Sequence, residues 1–195
     1  MTRDEHWLVV VNQDWAHPFL DLLFPWVSDQ WTFSIPLLGI ILADAIRRAG
    51  RRGLRLWLLL VVGIGAGDQL AGALKDVVRE PRPCYSHHEP LRDVGGGPLG
   101  RCSGATKGSP SAHALNFAFA ATFLLVTTPW RPWHWLLHLG LVLVCLSRVY
   151  LGKHFPSQVA EGLLLGLGLG MLAGAGACYY RLCLLCAAGC RRDPP

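Results

Sequence analysis

The chain has 195 residues, a length suited to one domain, and 52% of them are apolar against 16% charged. The charges avoid several long apolar runs, which argues against a soluble helical bundle. A net charge of +5 is accounted for by anionic lipid headgroups and membrane orientation, without invoking nucleic acid.

Residues 1–30 do not read as a span. Trp7–Val11 is too short, and the stretch from Asp14 to Val27 mixes apolar residues with His17 and Asp21. The pattern predicts an interfacial amphipathic helix with Pro18 near its start and Trp26 and Trp31 at headgroup level. No basic start is followed by an apolar stretch and a small-residue cleavage site, so a cleaved signal peptide is not expected. Crossing the hydrocarbon core takes about 20 mostly apolar residues. Runs near 32–47, 54–76, 111–128, 133–150 and 157–180 meet that need. The expectation is an all-α integral membrane bundle of about five transmembrane helices, with 1–195 as a single domain.

Arg47, Arg48, Arg51, Arg52 and Arg55 crowd the connection between the first two spans, which the positive-inside rule places in the cytoplasm. With five spans, Arg131, Arg191 and Arg192 fall on that side. The N-terminus and the 79–110 loop then lie outside. Cys84 and Cys102 share this outer loop, where a disulfide is chemically permitted. Cys178, Cys183, Cys186 and Cys190 gather at the inner end of the last span, as apolar filling or lipidation sites.

Three junctions between spans carry the chemistry. Lys75 precedes Arg82-Pro83 by seven residues; Gly108-Ser109-Pro110-Ser111-Ala112-His113 opens the third span; Ser147-Arg148 precedes His154. Ser109 reads as an N-cap with Pro110 at the first helical position. The amides of Ser111, Ala112 and His113 then become donors at a helix N-terminus, a natural anion site. The Ser111 hydroxyl adds a donor, and small Ala112 lets an anion approach the backbone. Lys75 offers a point charge and Arg82 a planar fork. Arg148 ends an apolar helix, where a cation wants an anionic partner. Arg79, Arg92, Arg101 and Lys107 are adequately read as cations reaching for headgroups. His134 and His138 share a helix face near the inner surface, and His87-His88-Glu89 reads as a solvated loop.

These three blocks resemble the signatures of the type 2 phosphatidic acid phosphatase (PAP2) superfamily: Lys-x6-Arg-Pro, Pro-Ser-x-His and Ser-Arg-x5-His. The resemblance covers roughly residues 30–180. It implies a nucleophilic His154 that forms a phosphohistidine, a general acid in His113, and a phosphate cradle of Lys75, Arg82, Ser111, Ala112 and Arg148. It implies no metal and no cofactor, because cations supply the charge. In the family a carboxylate usually stands four residues after the nucleophile and orients its ring; here that residue is Gln158. The stretch His154-Phe155-Pro156-Ser157-Gln158-Val159 is similar to the glucose-6-phosphatase branch, where glutamine follows at this place. A glutamine carbonyl is expected to accept the imidazole N–H and fix its tautomer. Asp68, two turns below Lys75 inside the bilayer, and Glu161, one turn beyond Gln158, are possible auxiliary carboxylates.

The reading favours a phosphatase in the bacterial inner membrane with an extracytoplasmic site. Its partners are membrane lipid and a phosphorylated amphiphilic substrate, a polyprenyl diphosphate or a phosphatidate-type lipid. A sugar-phosphate phosphatase and a non-catalytic lipid-binding or translocating protein remain open alternatives.

Overall fold

A computed structural model describes residues 1–86, 91, 92, 94, 106–180 and 182. His87-His88-Glu89, Arg101, Cys102, Cys183, Cys186, Cys190, Arg191 and Arg192 lie outside them. The described residues are helical throughout, with no strand among them. The elements are α1 (Arg3–Val9), α2 (Pro18–Ser28), α3 (Ile35–Val78), α4 (Pro83–Ser86), α5 (Ala112–Thr127), α6 (Pro132–Tyr150) and α7 (Pro156–Tyr179); π-helical turns follow α1 and precede α3.

The first two expected spans are the two arms of α3. Gly50 takes φ 53° and ψ −129° in its middle, a left-handed backbone that a glycine accepts without strain. The chain reverses there. Trp57 donates its indole N–H to the Leu38 carbonyl at 3.1 Å, and a Cβ on Gly53 would lie 2.1 Å from the Ala45 carbonyl oxygen. The expected arginine-rich loop is therefore a tight helical reversal. Its arginines partly neutralise Asp44, which holds Arg48 at 2.7 Å, Arg47 at 3.2 Å and the Trp133 indole at 3.0 Å. α3, α6 and α7 contain stretches long and apolar enough to cross a membrane, and α5 is a shorter apolar helix.

Instead of one interfacial helix, the N-terminal segment forms two short helices that cover the ends of α6 and α7. Leu8, Val11, Phe24 and Val27 pack with Val149, Tyr150 and Val159. Trp7, Trp15, Trp26 and Trp31 remain exposed, as indoles at a headgroup boundary should. Asp4 accepts both the backbone N–H and the hydroxyl of Ser157 at the start of α7, at 3.0 and 2.6 Å.

α5 lies against α7 along one seam of glycines. A Cβ on Gly162 would meet the Ser111 carbonyl oxygen at 2.3 Å, one on Gly166 that of Leu115 at 2.2 Å, and one on Gly170 that of Phe119 at 2.6 Å. Small residues let two helix backbones approach this closely in a membrane, where packing rather than hydrophobicity drives association. Replacing Gly166 by Leu should therefore cost roughly 1–3 kcal/mol or more through overpacking. The check is thermal unfolding in detergent: a marked fall in Tm is expected, whereas Gly168→Leu, which meets nothing within 4 Å, should leave it nearly unchanged.

Candidate active site

The α6–α7 turn places His154. The His154 amide donates to the Arg148 carbonyl at 3.1 Å, as does that of Lys153 at 3.0 Å. Gly152 sits between them at φ 62°, where a side chain would be strained. The spacing of Arg148 and His154 is thus the span of one closed turn. The His154 side chain is 2% exposed, and its Nδ1 lies 2.8 Å from the Gly108 carbonyl oxygen. A carbonyl only accepts, so Nδ1 carries the proton and Nε2 keeps its lone pair. Burial, followed by the charges of Arg148, Arg82 and Lys75, holds the ring's pKa well below 6.5.

The expected hydrogen bond from His154 to the Gln158 side chain is therefore absent; Gly108 occupies that place. Gln158 is fully buried and its amide is used elsewhere. Oε1 accepts the Phe155 N–H at 3.2 Å, Nε2 donates to the Pro81 carbonyl at 2.9 Å, and the backbone carbonyl accepts the Ser111 N–H at 3.0 Å. A Cβ on Gly108 would sit 2.4 Å from Gln158 Nε2. Gln158 thus joins all three junctions and holds Gly108, the residue that orients His154. Glu161 does not face the imidazole either: it accepts the Ser109 hydroxyl.

Helix α5 starts two residues later than the sequence suggests. Ser111 is the N-cap, with φ −70° and ψ 111°, and Ser109-Pro110 is a cis peptide before it. The reason is the bond from the Ser111 N–H to Gln158, which keeps Ser111 outside the helix. The amides left to lead the helix are those of Ala112, His113 and Ala114.

The three cations converge. Lys75 lies in the field of Arg82 and Arg148, and both histidines lie in the field of all three. Arg82 Nε donates to the Lys107 carbonyl at 3.3 Å, and the Gly108 N–H donates to the Glu80 carbonyl at 2.8 Å, stitching the first junction to the second. Arg148 is 7% exposed. Its Nε and the Ser111 hydroxyl are buried without a hydrogen-bond partner among the described residues. Buried donors are rarely left unpaired, and an acceptor such as a phosphate oxygen would satisfy both.

Several residues that shape the site carry no local signal in the sequence. The Ser28 hydroxyl accepts from Arg148, and the Ser28 backbone carbonyl interacts with the His113 ring. Arg92 is no headgroup cation. It forms a two-pronged pair with Asp21 at 2.7 and 3.0 Å and donates to the Tyr150 hydroxyl at 2.7 Å. Hydrogen bonds from Arg92 and Tyr150 lower the Asp21 pKa to about 2. Buried Asn12 completes the clamp, taking the Arg92 N–H at 2.8 Å and donating to the Tyr150 carbonyl at 2.7 Å. Lys107 pairs with Asp76 at 2.6 Å. Cys84 is disulfide-bonded. His134 and His138 sit in an aromatic cluster with Trp130, away from the site.

The fold and this geometry define a helical membrane protein with a polycationic anion cradle around two histidines. The profile of the PAP2 superfamily matches residues 56–180, and the chain belongs to that superfamily. An undecaprenyl-diphosphatase of Sulfolobus acidocaldarius is 45% identical over 65 residues, 33% of this chain and 31% of the relative. A lipid A 4'-phosphatase of Porphyromonas gingivalis is 26% identical over 155 residues, 79% of this chain and 64% of the relative. The matches thus span less than two thirds of these relatives' own lengths. Among solved structures, LpxE of Aquifex aeolicus superposes with a TM-score of 0.66 at 21% identity, over 89% of this chain and 95% of that one. A PAP2 type phosphatidylglycerolphosphate phosphatase from Bacillus subtilis gives 0.60 at 25% identity, over 91% and 85%.

The Gln158 contacts make a specific prediction. Gln158→Glu keeps an acceptor for the Phe155 N–H but turns an oxygen toward the Pro81 carbonyl in place of a donor. It should cost about 1–3 kcal/mol of stability, read as a lowered Tm in detergent. An unchanged Tm would mean that the Pro81 contact contributes nothing.

Proposed function

We propose that this protein is an integral membrane phosphatase that removes phosphate from a lipid phosphate or diphosphate, of polyprenyl diphosphate or phosphatidate type, through a phosphohistidine. The observation that carries this reading is the buried His154 with Nδ1 committed to Gly108, Nε2 keeping its lone pair, and the ring in the field of three cations. In the first step the Nε2 lone pair forms a bond to phosphorus while the bond from phosphorus to the leaving oxygen breaks. His113 gives that oxygen its proton. In the second step water attacks phosphorus, the N–P bond breaks, and His113 takes a proton from the water. Lys75, Arg82, Arg148, the Ser111 hydroxyl and the first amides of α5, including that of Ala112, stabilise the equatorial oxygens, where charge accumulates.

His113 also lines a cavity between the arms of α3 and helix α5, so a substrate held in the bilayer reaches the acid from the membrane side. This favours an amphiphile over a free sugar phosphate. The cluster Arg47–Arg55 and Arg131 lie at the opposite end of the bundle, which supports an extracytoplasmic site by the positive-inside rule; a bacterial inner membrane is the setting this implies.

His154→Ala should abolish both phosphate release and acid-labile phosphoenzyme. In the wild type the ring loses its neutral form only as pH falls through a pKa well below 6.5. On the His154 side, therefore, kcat/KM should show no loss as pH falls from 7.5 to 6.5; a rise over that range, with substrate ionisation accounted for, reports protonation of the His113 acid. A His154→Ala variant that still turns over at the wild-type rate defeats the mechanism. For sidedness, a membrane-impermeant thiol reagent on intact cells should label Glu80→Cys and spare Arg51→Cys. The reverse pattern would place the site in the cytoplasm.

A further inference from the structure

The cavity that reaches His113 has a volume of about 220 Å³ and is lined mainly by aliphatic and aromatic side chains, among them Leu38, Ile64 and Phe117. Two of its polar groups stand out. Asp68 is a carboxylate within the spanning part of α3, and among the described residues it makes no hydrogen bond and no ion pair within 4.0 Å. It feels the charge of Lys75, seven residues and about 10 Å further along the helix by the usual rise. Asn116 lies one turn below His113 on α5, and its Oδ1 is buried without a partner. Gly67 brings the α3 backbone against it: a Cβ there would lie 3.1 Å from that oxygen. An intramembrane carboxylate is costly to maintain and characteristically faces a ligand path. An amide without its full complement of partners is costly too.

The cavity's position decides what these acceptors face. His113 protonates the leaving oxygen, so the leaving group extends from the cradle along the wall that His113 lines. Asp68 and Asn116 therefore meet the first few atoms beyond the scissile bond, before the hydrocarbon chain proper. We propose that Asp68 and Asn116 form a subsite for a hydroxyl or amine donor carried by the leaving group close to the phosphate. This rests on the phosphatase reading above and narrows it. A glycerol- or amine-bearing lipid phosphate satisfies both acceptors, whereas a plain polyprenyl group leaves an intramembrane carboxylate without a donor.

The test compares two single-chain substrates in detergent micelles, lysophosphatidate, which carries a free hydroxyl, and farnesyl phosphate, which carries none. In Asp68→Leu the ratio of kcat/KM for lysophosphatidate to that for farnesyl phosphate should fall about tenfold, as the loss of a hydrogen bond to a charged group implies. Asp68→Asn, which keeps the shape and one acceptor, should give an intermediate ratio and covers the case in which the leucine variant fails to fold. Asn116→Ala should shift the ratio in the same direction. An unchanged ratio overturns the proposal; equal losses on both substrates would show that Asp68 acts only on Lys75. If the wild type releases phosphate from neither substrate, the phosphatase reading itself falls, and this subsite with it.

Discussion

The close approach of α5 and α7 is the constraint on which the site depends. Hydrocarbon solvates apolar side chains as well as a protein interior does, so helices in a bilayer associate through packing and polar contacts. Gly162, Gly166 and Gly170 supply the packing by removing the atoms that would hold the backbones apart. Once that seam is set, the Ser111 carbonyl rests on Gly162, and the Gln158 carbonyl one turn earlier receives the Ser111 amide at 3.0 Å. His113 and His154, two and four residues from that contact, both come to lie in the field of Lys75, Arg82 and Arg148. A side chain at any of the three would meet the α5 backbone and push the helices apart.

The second layer of organisation is electrostatic. Lys75, Arg82 and Arg148 share a neighbourhood, and Arg148 is almost fully buried. Like charges in a region of low dielectric repel, and desolvation adds to the cost. The fold accepts this in part because other elements hold the two arginines: Ser28 binds Arg148, the Lys107 carbonyl takes Arg82 Nε, and the α6–α7 turn fixes the Arg148 carbonyl. The resting pocket is thus short of negative charge and rich in unpaired donors. In the proposed reaction a phosphoryl group relieves both deficits, most fully when its equatorial oxygens carry the most charge. Burial, followed by the same field, keeps His154 neutral, the form that attacks in the proposed mechanism.

Much of this was legible in the sequence because it is local. Apolar runs of sufficient length marked the long helices within a few residues, and three junctions with the right residue types marked the cations and both histidines. What escaped depends on contacts between distant parts of the chain. An imidazole N–H takes whichever carbonyl lies nearest, and nothing in His154-Phe155-Pro156-Ser157-Gln158 reveals that Gly108 is nearer than Gln158. Ser109-Pro110 has the composition of a helix start, yet the bond from Ser111 to Gln158 delays the helix. Arg92 resembles any loop cation until Asp21, 71 residues away, folds beside it. The arginine cluster looked like a loop because its charge was visible while the Gly50 reversal was not. The N-terminal segment has the composition of an interfacial helix, yet Ser28 touches Arg148 and His113 while Asp21 and Asn12 hold Arg92 and Tyr150.

The account stands on His154 Nε2 as the attacking atom within a cradle of Lys75, Arg82, Arg148 and Ser111. A structure of the wild-type protein with orthovanadate tests this most directly, since vanadium adopts the five-coordinate geometry of the transferring phosphoryl group. The account predicts an apical bond from vanadium to Nε2 of His154, with equatorial oxygens on the three cations, the Ser111 hydroxyl and the first amides of α5, and His113 beside the opposite apex. Vanadate bound elsewhere, or bound in this pocket with an atom other than Nε2 at the apex, would contradict it.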